Sequence, residues 1–184
     1  MSQTHEIIMS GFGGQGIMLM GQLLTYAGML EGKEVTWIPS YGPEMRGGTA
    51  YCSVIVSEDP IGAPMVSEPS MVVAMNLPSL TRFEGALQKG GTLIINSSLI
   101  DKDATRKDIN VFKVPVNEIA AELGNPKVGN MVMLGAIIAA AEPVKTESML
   151  GAFKKMFEKK FANKPDLFKI NEAAIQRGAD FIKK

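Results

Sequence analysis

Glu6-Ile7-Ile8-Met9-Ser10-Gly11-Phe12-Gly13-Gly14-Gln15-Gly16-Ile17-Met18-Leu19-Met20 is the stretch whose reading decides the fold. Residues 6–10 form a short apolar run of the kind a buried strand needs. The glycine turn from Gly11 to Gly16 follows directly, and a helix is expected from about Gln15 to Leu30. Ile17, Met20, Leu24 and Ala27 recur at three- and four-residue steps. Leu19, Leu23 and Tyr26 make the opposite side apolar too, so this helix is expected to be covered on both sides. Gly21 and Gly28 leave room for close packing against a sheet.

Outward from that unit, residues 35–38 and 49–56 read as the next two strands, with no helix between them. Residues 71–75 and 92–96 are continuous apolar runs, as central strands covered on both faces require. Between them a helix starts after Asn76, with Pro78 in its first turn and Gly90-Gly91 beyond its end. Residues 111–114 form a further strand, and short helices are expected over 118–123 and 130–141. Thr146 is placed to cap a helix with Leu150, Phe153 and Phe157 on one face. Lys154, Lys155, Lys159 and Lys160 around it read as a solvated face. Pro165 restarts the chain into a last helix ending near Ile182. Strands alternating with helices predict one three-layer α/β/α domain over residues 1–184, built on a mixed, mostly parallel, Rossmann-like sheet.

Composition narrows the function. Lys+Arg and Asp+Glu number 19 each, and the zero net charge disfavours nucleic acid as the main partner. The start MSQTHEIIMSGFGG lacks the pattern of a signal peptide, and residues 131–141 are too short an apolar stretch to span a bilayer. A cytoplasmic protein without a membrane partner is therefore expected. Cys52 and His5 are the single cysteine and histidine, so one chain offers no disulfide, no cysteine-held iron–sulfur cluster and no Cys/His zinc site. His5 reads as a strand-edge residue. No catalytic or metal-ligating residue is assigned. The 13 methionines suit core filling, with a share available for a subunit contact.

Two motifs carry chemistry. Gly11, Gly13 and Gly16 fit G-x-G-x-x-G in its strand–helix context, with Gly14 adding further freedom. Backbone N–H groups at the helix start attract an anion. A dinucleotide site also needs an acid at the end of the second strand. That region reads Thr36-Trp37-Ile38-Pro39, with Glu34 only at its beginning, which disfavours NAD or FAD. The same turn also reads as a tight connection with no ligand. Gln15 adds a polar group for a ligand or a neighbouring chain. The second motif is Tyr41-Gly42-Pro43-Glu44-Met45-Arg46-Gly47-Gly48. Arg46 can hold a carboxylate or phosphate with two hydrogen bonds, and Gly47 and Gly48 free the backbone to donate as well. It reads equally as a plain loop in which Arg46 pairs with Glu44 or a helix end. Both motifs follow strands and are expected to open on the same edge of the sheet.

Together, at this distance and in a chain of this size, the glycine turn and Ser40-Tyr41-Gly42-Pro43-Glu44-Met45-Arg46-Gly47-Gly48 closely resemble the gamma subunit of 2-oxoacid:ferredoxin oxidoreductases. That subunit is equivalent to domain III of fused pyruvate:ferredoxin oxidoreductases. The resemblance implies a complex that turns a 2-oxoacid and coenzyme A into acyl-CoA, carbon dioxide and reduced ferredoxin. It implies alpha and beta partners, with a ferredoxin-like delta subunit in some complexes. Thiamine diphosphate, magnesium and iron–sulfur clusters are then held on the other chains, and this chain alone is expected to bind no cofactor and to be inactive. Gly11, Gly13, Gly14, Gln15, Gly16, Tyr41, Glu44, Arg46, Gly47 and Gly48 become candidates for a coenzyme A contact or for the subunit seam. The form of the second motif looks closer to 2-oxoglutarate and branched-chain members than to pyruvate ones. A subunit of an indolepyruvate oxidoreductase and a stand-alone nucleotide- or anion-binding protein are the other readings.

Overall fold

The first strand runs two residues into the glycine turn that was expected to end it. In the computed structural model, which describes residues 3–40, 49–159 and 164–183, β1 spans Thr4–Phe12 and includes Gly11. Helix α1 (Ile17–Leu30) follows, then β2 (Glu34–Ser40), β3 (Thr49–Ser57) and β4 (Met71–Ala74). Helix α2 (Leu77–Phe83) leads to β5 (Thr92–Asn96) and β6 (Asn110–Val114). Helices α3 (Val116–Glu122), α4 (Gly129–Ala141), α5 (Thr146–Met156) and α6 (Pro165–Ile182) complete the chain.

The six strands lie in the order β2-β3-β1-β4-β5-β6. β4, β5 and β6 continue parallel from β1, whereas β3 runs antiparallel to both β1 and β2. This is the mixed sheet that the sequence predicted. The period of two then sorts the side chains. Ile7, Met9, Val54, Met71 and Val73 join the core under α1, α3, α4, α5 and α6. Ile8, Val72, Ala74, Leu93 and Ile95 face the other way, against Leu80 and Phe83 of α2 and against Leu87. Among the described residues one face thus carries five α-helices and the other a single short one.

Glycine sets the closest helix contacts. A Cβ on Gly21 would stand 2.6 Å from Trp37 Nε1 and 2.7 Å from Cys52 Sγ, and one on Gly28 would stand 2.7 Å from Val35. These two positions seat α1 directly on β2 and β3, as their spacing suggested. A tighter case was not marked by the sequence reading. A Cβ on Gly135 of α4 would overlap the carbonyl oxygen of Ile175, and one on Gly178 of α6 would overlap the carbonyl oxygen of Val132. The two helices cross backbone to backbone, and α4 is buried from Asn130 to Ile138.

One capping assignment is corrected. Thr146 lies inside the first turn of α5, and Lys145 occupies the cap position without a side-chain cap bond. The Lys145 N–H instead donates to Glu31 Oε1 at 2.6 Å, across from the end of α1. Burial pushes the Glu31 carboxyl up, but hydrogen bonds from Lys145 and Ser148 and the nearby Lys33 outweigh it, and the group ends below the usual carboxylate range. Lys154 and Lys155 are exposed, with the Lys155 ammonium 5.9 Å from the centre of the Tyr26 ring.

His5 is the second residue of β1, 8% exposed, and its Nε2 is buried without a partner. Burial and the nearby Lys33 lower its pKa from the usual 6.5, partly offset by Glu58. The unfolded chain therefore takes up a proton that the folded chain refuses. The stability His5 contributes is complete above pH 6.5 and is lost as the pH falls through the window below it. Thermal midpoints recorded from pH 7.5 down to about 5 should fall less steeply in His5→Leu than in the native chain. Gly178→Ala, forced against the Val132 carbonyl, should cost about 3 kcal/mol or more in a denaturant titration, beyond ordinary overpacking.

Candidate functional site

The glycine turn divides into two functions. Gly14 (φ 92°) and Gly16 (φ 78°) adopt left-handed backbone, which lets the chain turn from β1 into α1 within four residues. The Gln15 N–H closes the turn on the Phe12 carbonyl at 3.2 Å. The Gln15 side chain then fastens it: its Oε1 accepts from the Phe12 N–H at 2.6 Å, and its Nε2 donates to the Met75 carbonyl at 3.2 Å. A Cβ on Gly11 would meet Gln15 Oε1, Ile17 and Met75 within 2.8 Å, and one on Gly16 would run into Asn130 at the start of α4. Gly11, Gln15 and Gly16 are thus committed to internal packing. Gly13 and Gly14 are exposed, with nothing within 4 Å of where a Cβ would stand, and form the approachable part of the motif.

Tyr41, Glu44, Arg46, Gly47 and Gly48 lie outside the described residues. The strand ends that bracket them do not. Ser10 and Ser40 both pair with Tyr51, and Phe12 pairs with Thr49. Ser40 and Thr49 therefore stand at the edge where β1 enters the glycine turn, as expected for motifs that both follow strands. The order of the sheet places a topological switch at β1 and β4, where ligands gather in α/β folds. Gln15 spans that junction by its bond to Met75.

The sequence placed a helix start after Asn76, as found, but did not mark the side-chain roles at this edge. Phe12, Leu77 and Leu99, which follow or end β1, β4 and β5, are 40%, 39% and 47% exposed. Asn76 Oδ1 caps α2 by accepting from the Ser79 N–H at 2.9 Å and the Ser79 hydroxyl at 2.5 Å, while its Nδ2 is buried without a partner. Asn96, fully buried at the end of β5, donates to Asn117 Oδ1 at 3.1 Å. An asparagine directly after an apolar strand run is the signal that could have found Asn76 and Asn96.

On the helical face beside the turn lies a cleft of about 220 Å³, whose walls include Leu19, Lys127, Asn130, Phe153, Phe157 and Asn171. Helices α1 and α4 both begin here. Neither has a side-chain cap bond or an acidic residue in its first turn. Cys52 lies inside, with its thiol donating to the Ile17 carbonyl at 3.6 Å, and burial pushes its pKa up to about 12. Such a thiol is a packing group, not a nucleophile. Among the described residues no group of three His, Cys, Asp or Glu side chains could hold a metal ion, and no helix is long and apolar enough to cross a membrane.

The family model described as pyruvate ferredoxin/flavodoxin oxidoreductase matches residues 6–181. The ketoisovalerate oxidoreductase subunit VorA of Methanothermobacter marburgensis is 35% identical over 179 residues, covering 97% of this chain and 37% of that protein. The chain thus spans little more than a third of the VorA relatives it matches. The 2-oxoglutarate synthase subunit KorC of Methanothermobacter thermautotrophicus is 35% identical over 184 residues, covering 96% of this chain and 94% of that one. The crystal structure of the keto/oxoacid ferredoxin oxidoreductase gamma subunit from Geobacter sulfurreducens superposes with a TM-score of 0.82 at 27% identity, covering 97% of this chain and 98% of that one.

The division of the glycine turn is testable by two substitutions. Gln15→Ala removes the partner of the Phe12 N–H and of the Met75 carbonyl and should cost about 1–3 kcal/mol in urea denaturation. Gly13→Ala meets open space and should stay within about 0.5 kcal/mol of the native chain. Any loss of ligand or partner binding in that variant then reports the outer surface of the turn, not the fold.

Proposed function

Because the chain belongs to the pyruvate ferredoxin/flavodoxin oxidoreductase family, we propose that it is the non-catalytic, gamma-type subunit of a thiamine-diphosphate-dependent 2-oxoacid:ferredoxin oxidoreductase. The observation that carries this reading is the end-to-end match with KorC, a subunit of the same size, over 96% of one chain and 94% of the other. The reaction converts a 2-oxoacid, coenzyme A and oxidised ferredoxin into acyl-CoA, carbon dioxide and reduced ferredoxin. The names of the KorC and VorA relatives favour 2-oxoglutarate or a branched-chain 2-oxoacid as the substrate. The complex works in the cytoplasm, with alpha and beta chains and in some forms a ferredoxin-like delta chain as partners.

The chemistry of this chain suits a supporting role. Cleaving a bond beside a ketone needs an electron sink, which a cofactor supplies and no side chain here does. A single cysteine, buried and held as a thiol, offers nothing to an iron–sulfur cluster. The outer surface of the glycine turn is where the chain would meet its complex. Gly13 and Gly14 let another backbone or a ligand come close, and exposed Phe12, Leu77 and Leu99 follow or end strands at the same edge of the sheet. Such a patch fits a subunit seam. The uncapped start of α1, with no acid in its first turn, also suits an anionic group such as a coenzyme A phosphate. Arg46, in the motif bracketed by Ser40 and Thr49, would hold that phosphate or a carboxylate on a partner chain.

Co-expression with alpha and beta chains tests the assignment. The assembled complex should oxidise the 2-oxoacid, and the isolated chain should not; turnover by this chain alone, or failure to associate, counts against it. Arg46→Lys keeps the charge but loses the two-pronged geometry, and should weaken coenzyme A use or assembly about tenfold. A raised half-saturation for coenzyme A with intact assembly assigns Arg46 to the ligand, and lost co-purification assigns it to the partner. If Arg46→Lys and Arg46→Ala change neither, Arg46 is only a loop residue.

A further inference from the structure

We propose that Arg82 of α2, seated against the rings of Tyr51 and Phe83, anchors a partner subunit by binding a carboxylate on that subunit's surface. This contact rests on the reading of the chain as a subunit, and adds to it a residue and a partner chemistry.

The guanidinium is held in place but left without an acceptor. Arg82 Cζ lies 4.8 Å from the centre of the Tyr51 ring and 5.0 Å from that of Phe83. The two rings stand 5.0 Å apart, tilted by 58°, so the cation rests against both. A guanidinium stacks on aromatic rings through its plane, which leaves its edge of N–H groups for an anion. Among the described residues that edge makes no hydrogen bond or ion pair. Arg106 and Arg177 differ. The first donates to two carbonyls and to Asp108, and the second pairs with Glu122. Two aromatic seats also restrict a long side chain that would otherwise sample many rotamers, so less freedom is lost on binding.

The surroundings select an acidic partner. Leu77, Pro78, Thr81 and Arg82 are the exposed residues of α2, and Lys89 is exposed beyond it. No acid from residue 77 to residue 90 is exposed. The one acid there, Glu84, is 8% exposed and accepts from the Thr105 N–H and hydroxyl and from the Arg106 N–H. This stretch of surface is therefore cationic. A small free anion is held by several converging donors, whereas here one guanidinium shares a helix face with apolar Pro78, four residues earlier. A seated arginine beside apolar surface has the composition of an interface anchor. Among the described residues α2 is the one α-helix on its face of the sheet, which leaves its outer side open to another chain. Tyr51 is in register with Ser10 and Ser40, so the anchor continues the edge where the glycine turn begins.

The affinity of the full chain for the assembled alpha and beta chains, measured by titration, tests the contact. Arg82→Gln should weaken it about tenfold, and Arg82→Lys, which loses the planar fork, at least about threefold. Lys89→Gln, at an exposed lysine just beyond α2, should change it less than about twofold. The far-ultraviolet circular dichroism of each free variant should match that of the native chain. In the complex formed by the Arg82→Lys variant, a zero-length carbodiimide should join position 82 to an Asp or Glu of a partner chain, identified by peptide mass spectrometry. Equal association of the native chain and Arg82→Gln would overturn the proposal. So would position 82 joining only to acids of this chain, or to none. Intact assembly with weakened coenzyme A use would overturn it too, because Arg82 would then hold a phosphate. If the native chain itself fails to associate, the subunit reading falls and the anchor with it.

Discussion

The crossing of α4 and α6 is the contact on which the helical face depends. Where two helices carry side chains at their crossing, their axes stay 8–10 Å apart. Here Gly135 and Gly178 remove the side chain from each side, so each backbone rests on a carbonyl of the other. The approach adds dispersion contacts and Cα–H···O interactions that a single methyl group would abolish. It also fixes how α6 descends past the start of α4. Asn171 and Asn130, which stand on opposite helices, then face one cleft.

The two faces of the sheet do different work. The heavily covered face buries α4 on nearly every side and accounts for most of the core. The lightly covered face carries only α2 and its neighbouring turn. At the edge between them, β1 ends in a turn whose outer glycines are exposed and whose inner residues are stitched to β4 by Gln15. A backbone held firmly from behind and open in front is pre-organised for contact, because little conformational freedom remains to be lost on binding.

Several of the polar side chains among the described residues near this edge serve the fold. A buried thiol supports the start of α1, an amide braces a turn, and asparagines close the ends of strands. These groups form hydrogen bonds inside the chain, and the outer side of the turn presents the exposed Gly13 and Gly14.

The sequence by itself determined the strand–helix order, the mixed sheet and the two motifs. Apolar periodicity is local, and a connection read as too short for a crossover helix predicted the change of direction that the antiparallel β2 and β3 show. It also determined that one cysteine and one histidine cannot build a disulfide, a cysteine-held cluster or a Cys/His zinc site within one chain. Tertiary structure alone decided the rest. Gly11, Gly13 and Gly16 look alike in a motif, yet Gly11 is hemmed in by Gln15, Ile17 and the distant Met75, Gly16 by the distant Asn130, and Gly13 by nothing within 4 Å. The same holds for Gly135, whose partner is a carbonyl of α6, and for the start of α5, where Thr146 lies inside the helix and Glu31, just beyond α1, accepts from the Lys145 N–H. Local pattern specifies which way a side chain points along its own element. Which neighbour it meets depends on how distant elements pack, and that is where the cleft, the brace and the crossing were made.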